Sequence, residues 1–206
     1  GVVRDWRSSL YVSRVEISEH LYAAVNTGTV RDVVLRDVLV QDGGTAFVLP
    51  YSQSLLVQDV TVRRLAYIGS LHMNGEHTNY GLVSNLQAQD NASGLNAGGN
   101  IHVVDSAIRN TGPGQATAFG AGQDADERQA SVARSTLEGA YLLTNSGTIS
   151  NCQLRNAQYG TYYSNVFGSD YVDMGCNPMA LDCTGLTVAD AFAHRELMAN
   201  TFSGGS

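Results

Sequence analysis

Four stretches read as loop insertions following the second strand of a unit, Asn96 to Asn100 among them, and the other three gather the side chains best suited to proton transfer or cation binding. Gly69 to Asn79 carries His72, Glu76 and His77. Gly120 to Gln129 places Asp124, Asp126 and Glu127 within four residues, and Ser164 to Asp182 adds Asp170, Asp173 and Asp182. Carboxyl and imidazole groups give and take protons near neutral pH, so Glu76, His72, Asp124 and Asp126 are the candidate catalytic residues. Asp124, Asp126 and Glu127 also suit a hard cation such as Ca²⁺, which takes carboxylate and carbonyl oxygens. The plainer alternative for the same residues is a solvated acidic loop. His72 and His77 do not form HExxH, so zinc is disfavoured. His102 and His194 read as surface residues, and Asn91-Ala92-Ser93 fits the glycosylation sequon by pattern alone.

The whole chain limits which chemistry is available. It has 206 residues, 43% of them hydrophobic and 15% charged, with 12 basic residues, 19 acidic ones and a net charge of −7. This is too apolar for a disordered chain. No apolar run reaches the roughly 18 residues of a membrane span. The acidic balance disfavours nucleic acid, whose phosphates call for a basic face. Every basic residue is Arg. That removes any Lys base, Schiff base or phosphate-loop Lys. Of the three cysteines, Cys176 and Cys183 are near enough in sequence to pair across a short loop, and Cys152 stands apart.

The elements that would carry these residues emerge from segments of the form apolar-x-polar-apolar-x-apolar. Seven are clear: Val12 to Ile17, Leu35 to Val40, Val57 to Val62, Val83 to Ala88, Val103 to Ile108, Val132 to Leu137 and Ile149 to Leu154. Two weaker ones are Cys183 to Val188 and Leu197 to Phe202. The alternation is a strand signal, and the Asp, Asn or Arg at the third position suits a bend. The third positions recur at a mean step of about 23 residues, and each unit has a further apolar segment, such as Thr45 to Val48 or Leu65 to Ile68. Three short strands per unit predict an all-β chain, a right-handed parallel β-helix of eight to nine turns. The prediction is one domain over residues 1–206, which the sparse capping sequence at both ends marks as a segment of a longer protein or a chain capped by a partner; the alternative is a C-terminal capping helix over Ala191 to Asn200, which would replace the ninth unit. A homotrimer with sites between subunits is a further option.

On these units the chain resembles the pectate-lyase-like superfamily of right-handed parallel β-helices, over about Val12 to Phe202. No single family's active site is matched: the Asn-Thr-Asp, Asp-Asp and Gly-His-Gly motifs of polygalacturonase-like hydrolases are absent. The resemblance implies a secreted or cell-surface protein that binds or cleaves a polysaccharide. It leaves two alternatives. One is a non-enzymatic shaft of an adhesin, autotransporter or phage tailspike. The other is a Ca²⁺-dependent lyase with an Arg base, for which Arg63, Arg64, Arg109 and Arg155 are available.

Stacking at strand spacing, about 4.8 Å, sets the geometry expected of a site. Glu76 and the Asp124/Asp126 pair would leave turns two steps apart, about 9.6 Å, near the upper end of the carboxylate separation in inverting glycosidases. Aromatic residues recur about once per turn: Tyr22, Phe47, Tyr67, Phe119, Tyr141 and Tyr162, with Leu95 filling one gap. Facing inward they would form a core stack, and facing outward a platform for sugar rings. Tyr67 and Tyr162 are the preferred outward members, with His77 and Arg64 as further substrate contacts. If these carboxylates carry hydrolysis, Glu76→Gln and Asp126→Asn should each abolish the release of reducing ends from a cleaved polysaccharide. Near-normal release by both variants would exclude the assignment.

Overall fold

The computed structural model describes residues 8–73, 79–109, 117–121, 130–172, 197–198 and 201–203. Cys176, Cys183 and the segment Cys183 to Val188 lie outside these residues. The described chain is all-β. Its strands are β1 (Ser9–Ser18), β2 (Ala23–Asn26), β3 (Val30–Met73), β4 (Tyr80–Gln89), β5 (Leu95–Gly98), β6 (Ile101–Val104) and β7 (Ala107–Arg109). They continue as β8 (Thr117–Ala121), β9 (Ser131–Ala133), β10 (Thr136–Ser150), β11 (Gln153–Phe167), β12 (Asp170–Val172), β13 (Leu197–Met198) and β14 (Thr201–Ser203). They form one sheet, parallel throughout, curled into a half-barrel around the apolar core. Among the described residues no helix is long and apolar enough to cross a membrane.

Register links strands far apart in sequence. Val12 pairs with Leu35, Val57 with Val83, Val83 with Val103, Val103 with Val132, Val132 with Ile149, Ile149 with Val166, and Val166 with Leu197. A straight 44-residue strand would run about 145 Å at 3.3 Å per residue. β3 bends instead, so that residues 22 apart become neighbours. Arg63 donates to Gln41, Arg64 donates to Asp42, and Gly69 lies against the backbone of Phe47.

The bends have a common cause. Arg14, Asp37, Asp59, Asn85, Asp105, Arg134 and Asn151 all have φ between 48° and 55°. These are the third positions of the seven clear segments. Each left-handed residue resets the alternation, so in the six segments from Leu35 to Leu154 the first, fourth and sixth residues are all buried, whereas Val15 of the first segment is exposed. Val83, Leu86 and Ala88 show this, all buried, while Asn85 and Gln87 are exposed. A second left-handed residue follows five positions later at Glu19, Asp42, Arg64, Asp90 and Asn156. The conformation costs most side chains about 1–2 kcal/mol, and Asn or Asp less, because their short polar groups bond locally.

A further segment, Val166 to Tyr171, stands in register with Leu197 to Phe202. Val166, Asp170 and Tyr171 pair with Leu197, Thr201 and Phe202. Gly168 supplies the left-handed bend, with φ of 56°. A glycine serves there without the polar side chain that the sequence pattern requires, which is why the segment was not recognisable.

The supposed insertions also need correction. Gly69–Met73, Asn96–Gly98, Gly120–Ala121, Ser164–Phe167 and Asp170–Val172 belong to strands. Buried Leu71 and Ala97, paired across β3 and β5, hold the first two in place. Asp37 isolates the cost of the bend. Asp37→Val should lower stability by about 1–2 kcal/mol, whereas Asp37→Gly should leave it unchanged or slightly raised. Denaturation midpoints that coincide for the two variants would show that the bend is not the determinant.

Candidate functional site

The outward side chains after the first bend form two adjacent rows. One runs Thr61, Gln87, Ala107, Thr136 and Gln153, and the other Arg63, Gln89, Arg109, Glu138 and Arg155. Between them lies a shallow depression of about 80 Å³, lined by Thr61, Arg63, Gln87, Gln89 and Arg109 with Ala88 and Ala107. Enclosed small-molecule sites are several times larger, about 300–1,000 Å³, so this is a surface for something laid across it. Arg63 is held by Gln41, 2.7 Å away, and Gln41 in turn donates to Glu16 at 2.8 Å. Arg109 makes a long ion pair of 3.5 Å with Glu138 and is 53% exposed.

The second feature lies on the outer face of the preceding strands. His102 stands between Leu82 and Ser131 in register. Its Nδ1 is 2.7 Å from Ser131 Oγ and its Nε2 is 2.8 Å from Asn100 Oδ1. Asn100 Nδ2 donates to the Asn79 carbonyl at 3.1 Å. Tyr80 packs on the imidazole with ring centroids 5.2 Å apart. Burial lowers the His102 pKa below 6.5, so the ring is neutral at pH 7. The sequence offered a signal for this cluster. Asn100 and His102 share a face by alternation, and aligning Val103 with Val132 sets His102 beside Ser131.

The residues singled out from sequence fare differently. Glu76, His77, Asp124, Asp126 and Glu127 lie outside the described residues, as does the side chain of Tyr162. His72 is half-buried near the end of β3 and faces Gly98, where a Cβ would strike its ring. Arg64 is tied to Asp42 by two bonds of 2.6 and 2.7 Å, and its guanidinium holds the Asp42 carboxyl below the usual carboxylate range. Tyr67 is half-buried and its phenol is pushed up by burial. The aromatic series does not face one way. Phe47 and Phe119 are fully buried, Leu95 with them, and Tyr22 is 83% exposed.

Two further groups are structural. Asn91 is fully buried; its Oδ1 accepts from the Leu65 N–H at 3.0 Å and its Nδ2 donates to the Val62 carbonyl at 3.3 Å, which is incompatible with glycosylation of the folded chain. Cys152 is buried, its thiol pushed up by desolvation and hydrogen-bonded to the Ser150 carbonyl, so it is no thiolate nucleophile at neutral pH. Among the described residues no group of three His, Cys, Asp or Glu could hold a metal ion.

Compared with protein-family models, curated proteins and solved structures, the chain matches none.

The electrostatics of His102 make a pH prediction. Its pKa is lower folded than unfolded, so its contribution to stability is complete above the unfolded value of 6.5 and is lost as pH falls through the lowered folded value. The His102 ring resonances should titrate below 6.5. His102→Gln should flatten the fall of the denaturation midpoint between pH 7 and pH 5. A ring midpoint at or above 6.5 would contradict the desolvated environment.

Proposed function

We propose that this chain is a right-handed parallel β-helix of a secreted or cell-surface protein, and that it binds an acidic polysaccharide along its outer face. The β-helix reading is supported by the parallel register, which advances by 17 to 31 residues from one segment to the next along the whole described chain. The observation that carries the binding reading is the open depression between Arg63 and Arg109. These two arginines lie two strand steps apart, about 9.6 Å, with Gln87 and Gln89 between them. One turn advances about the length of one sugar ring. A saccharide laid along the stack would therefore present the carboxylates of every second sugar to Arg63 and Arg109 and hydroxyls to Thr61, Gln87 and Gln89. Arg suits carboxylates because its planar fork can donate two parallel bonds.

Cleavage of the bound chain is a second reading. Leu71, Ala97 and Ala121 share a row, so the segments carrying Glu76 and Asp124/Asp126 follow strands two steps apart. One carboxylic acid would protonate the glycosidic oxygen while the other, as carboxylate, activates water.

Affinity electrophoresis of the full chain in gels containing polygalacturonate or dextran tests the binding reading. Polygalacturonate should retard the chain and dextran should not. A charged hydrogen bond is worth about 1.5–3 kcal/mol, so the Arg63→Gln/Arg109→Gln double variant should bind polygalacturonate at least about tenfold more weakly. Equal retardation of the double variant and the unaltered chain would overturn the assignment.

A further inference from the structure

We infer that Ser131, His102 and Asn100 form an acyl-transfer site, with Ser131 as nucleophile, His102 as its base and Asn100 as a positioning residue, acting on small acyl esters. The inference stands apart from the polysaccharide reading, because it uses a different face and different atoms. The direction of the hydrogen-bond chain carries it. Asn100 Nδ2 donates to the Asn79 carbonyl, which turns Oδ1 toward His102. An amide oxygen only accepts, so His102 Nε2 bears the proton. In the neutral ring Nδ1 then has the lone pair, and it lies 2.7 Å from Ser131 Oγ. Ser131 must donate to it. This is a nucleophile hydrogen-bonded to a base that a third group orients.

The neighbours fix the class of substrate. Ser131 and His102 are half-buried on an open strand face, so an ester can reach Oγ without entering a cavity. Tyr80 beside the imidazole and Leu82, next to His102 in register, offer apolar surface for a short acyl group. In the reaction Nδ1 takes the Oγ proton as Oγ bonds to the acyl carbon. The ester C–O bond then breaks and the alcohol leaves with that proton. Water repeats the sequence: its proton passes to Nδ1, its oxygen bonds to the acyl carbon, and Ser131 regains its proton as the carboxylic acid departs.

The test treats the full chain with an alkyl fluorophosphonate, locates the adduct by peptide mass spectrometry, and follows p-nitrophenyl acetate hydrolysis in parallel. Labelling should fall on Ser131 and spare Ser84 and Ser150, half-buried serines in the adjacent row of the same face. General-base assistance is worth about 10²–10⁴-fold, so His102→Gln should slow labelling of Ser131 at least about 100-fold. Asn100→Leu should slow it as well, and Asn100→Asp, which keeps an acceptor for Nε2–H, should restore it. An unlabelled Ser131, equal labelling of Ser84 or Ser150, or an unchanged rate in a folded His102→Gln would each overturn the inference. The contrast between Ser131 and its neighbours is read on the unaltered chain and does not depend on any variant folding.

Discussion

The left-handed residue at the third position of each segment is the constraint on which the rest of the structure depends. A strand alone would alternate without end and could not turn back upon its own core. One residue with φ near 50° shifts the phase by a single position. The two short strands on either side of it then both point apolar residues inward. Seven such residues recur from Arg14 to Asn151, and Gly168 adds an eighth. The conformation is unfavourable for Arg, so neighbouring segments must hold it. Arg134 does so through two 2.8 Å bonds to Asp105, the bend residue of the adjacent segment. Asn85 likewise donates to Asp59 at 2.8 Å. These exposed pairs are worth little individually. Their role is to align one bend over the next.

The bend also leaves a backbone problem, which buried hydroxyls solve. Ser106 Oγ accepts the Leu86 N–H and donates to the Val104 carbonyl. Ser135 does the same for the Ser106 N–H and the Ala133 carbonyl, and Ser169 for the Cys152 N–H and the Phe167 carbonyl. Each serine is the fourth residue of its segment, immediately after the bend. A buried N–H without a partner costs about 1–3 kcal/mol, so a small hydroxyl gains more here than a valine methyl would. Asn91 performs a similar service at the second bend, bridging Leu65 and Val62.

Much of this was legible in the sequence. Polar third positions and apolar first, fourth and sixth positions identified seven segments, and the structure sets those segments in register. The eighth was hidden because Gly168 replaces the polar bend residue. Supposed loops at Gly69–Met73 and Asn96–Gly98 are strands, since composition rich in Gly, Ser and Asn disguises a strand whose inward residues are only Leu71 or Ala97. The aromatic series misled in a different way. Recurrence about once per unit placed Phe47 and Tyr67 in one class, yet they are two positions out of phase. Phe47 shares a row with Val25, and Phe119 with Leu95, facing inward, whereas Tyr67 follows the second bend at Arg64 by three residues and is half-buried. By sequence alone His102 reads as a surface residue because its partner is 29 positions away. Only the register brings Ser131 to it.

The distribution of charge follows from the same geometry. The net charge of −7 suggests a chain that would repel an acidic ligand. Yet several of the described carboxylates are spent locally: Asp32 on Ser9 and Arg31, Asp42 on Arg64, and Asp105 on Arg134, each held below its ordinary pKa by these hydrogen bonds. Paired charges cancel within about a Debye length, roughly 8 Å at physiological salt, and present little field beyond it. Arg63 is bound instead to a neutral amide, and Arg109 lies 3.5 Å from Glu138. A molecule acidic in sum can thus set Arg63, Arg109 and Arg155 in one column, because parallel stacking sorts side chains by their position within the segment and not by the composition of the whole chain.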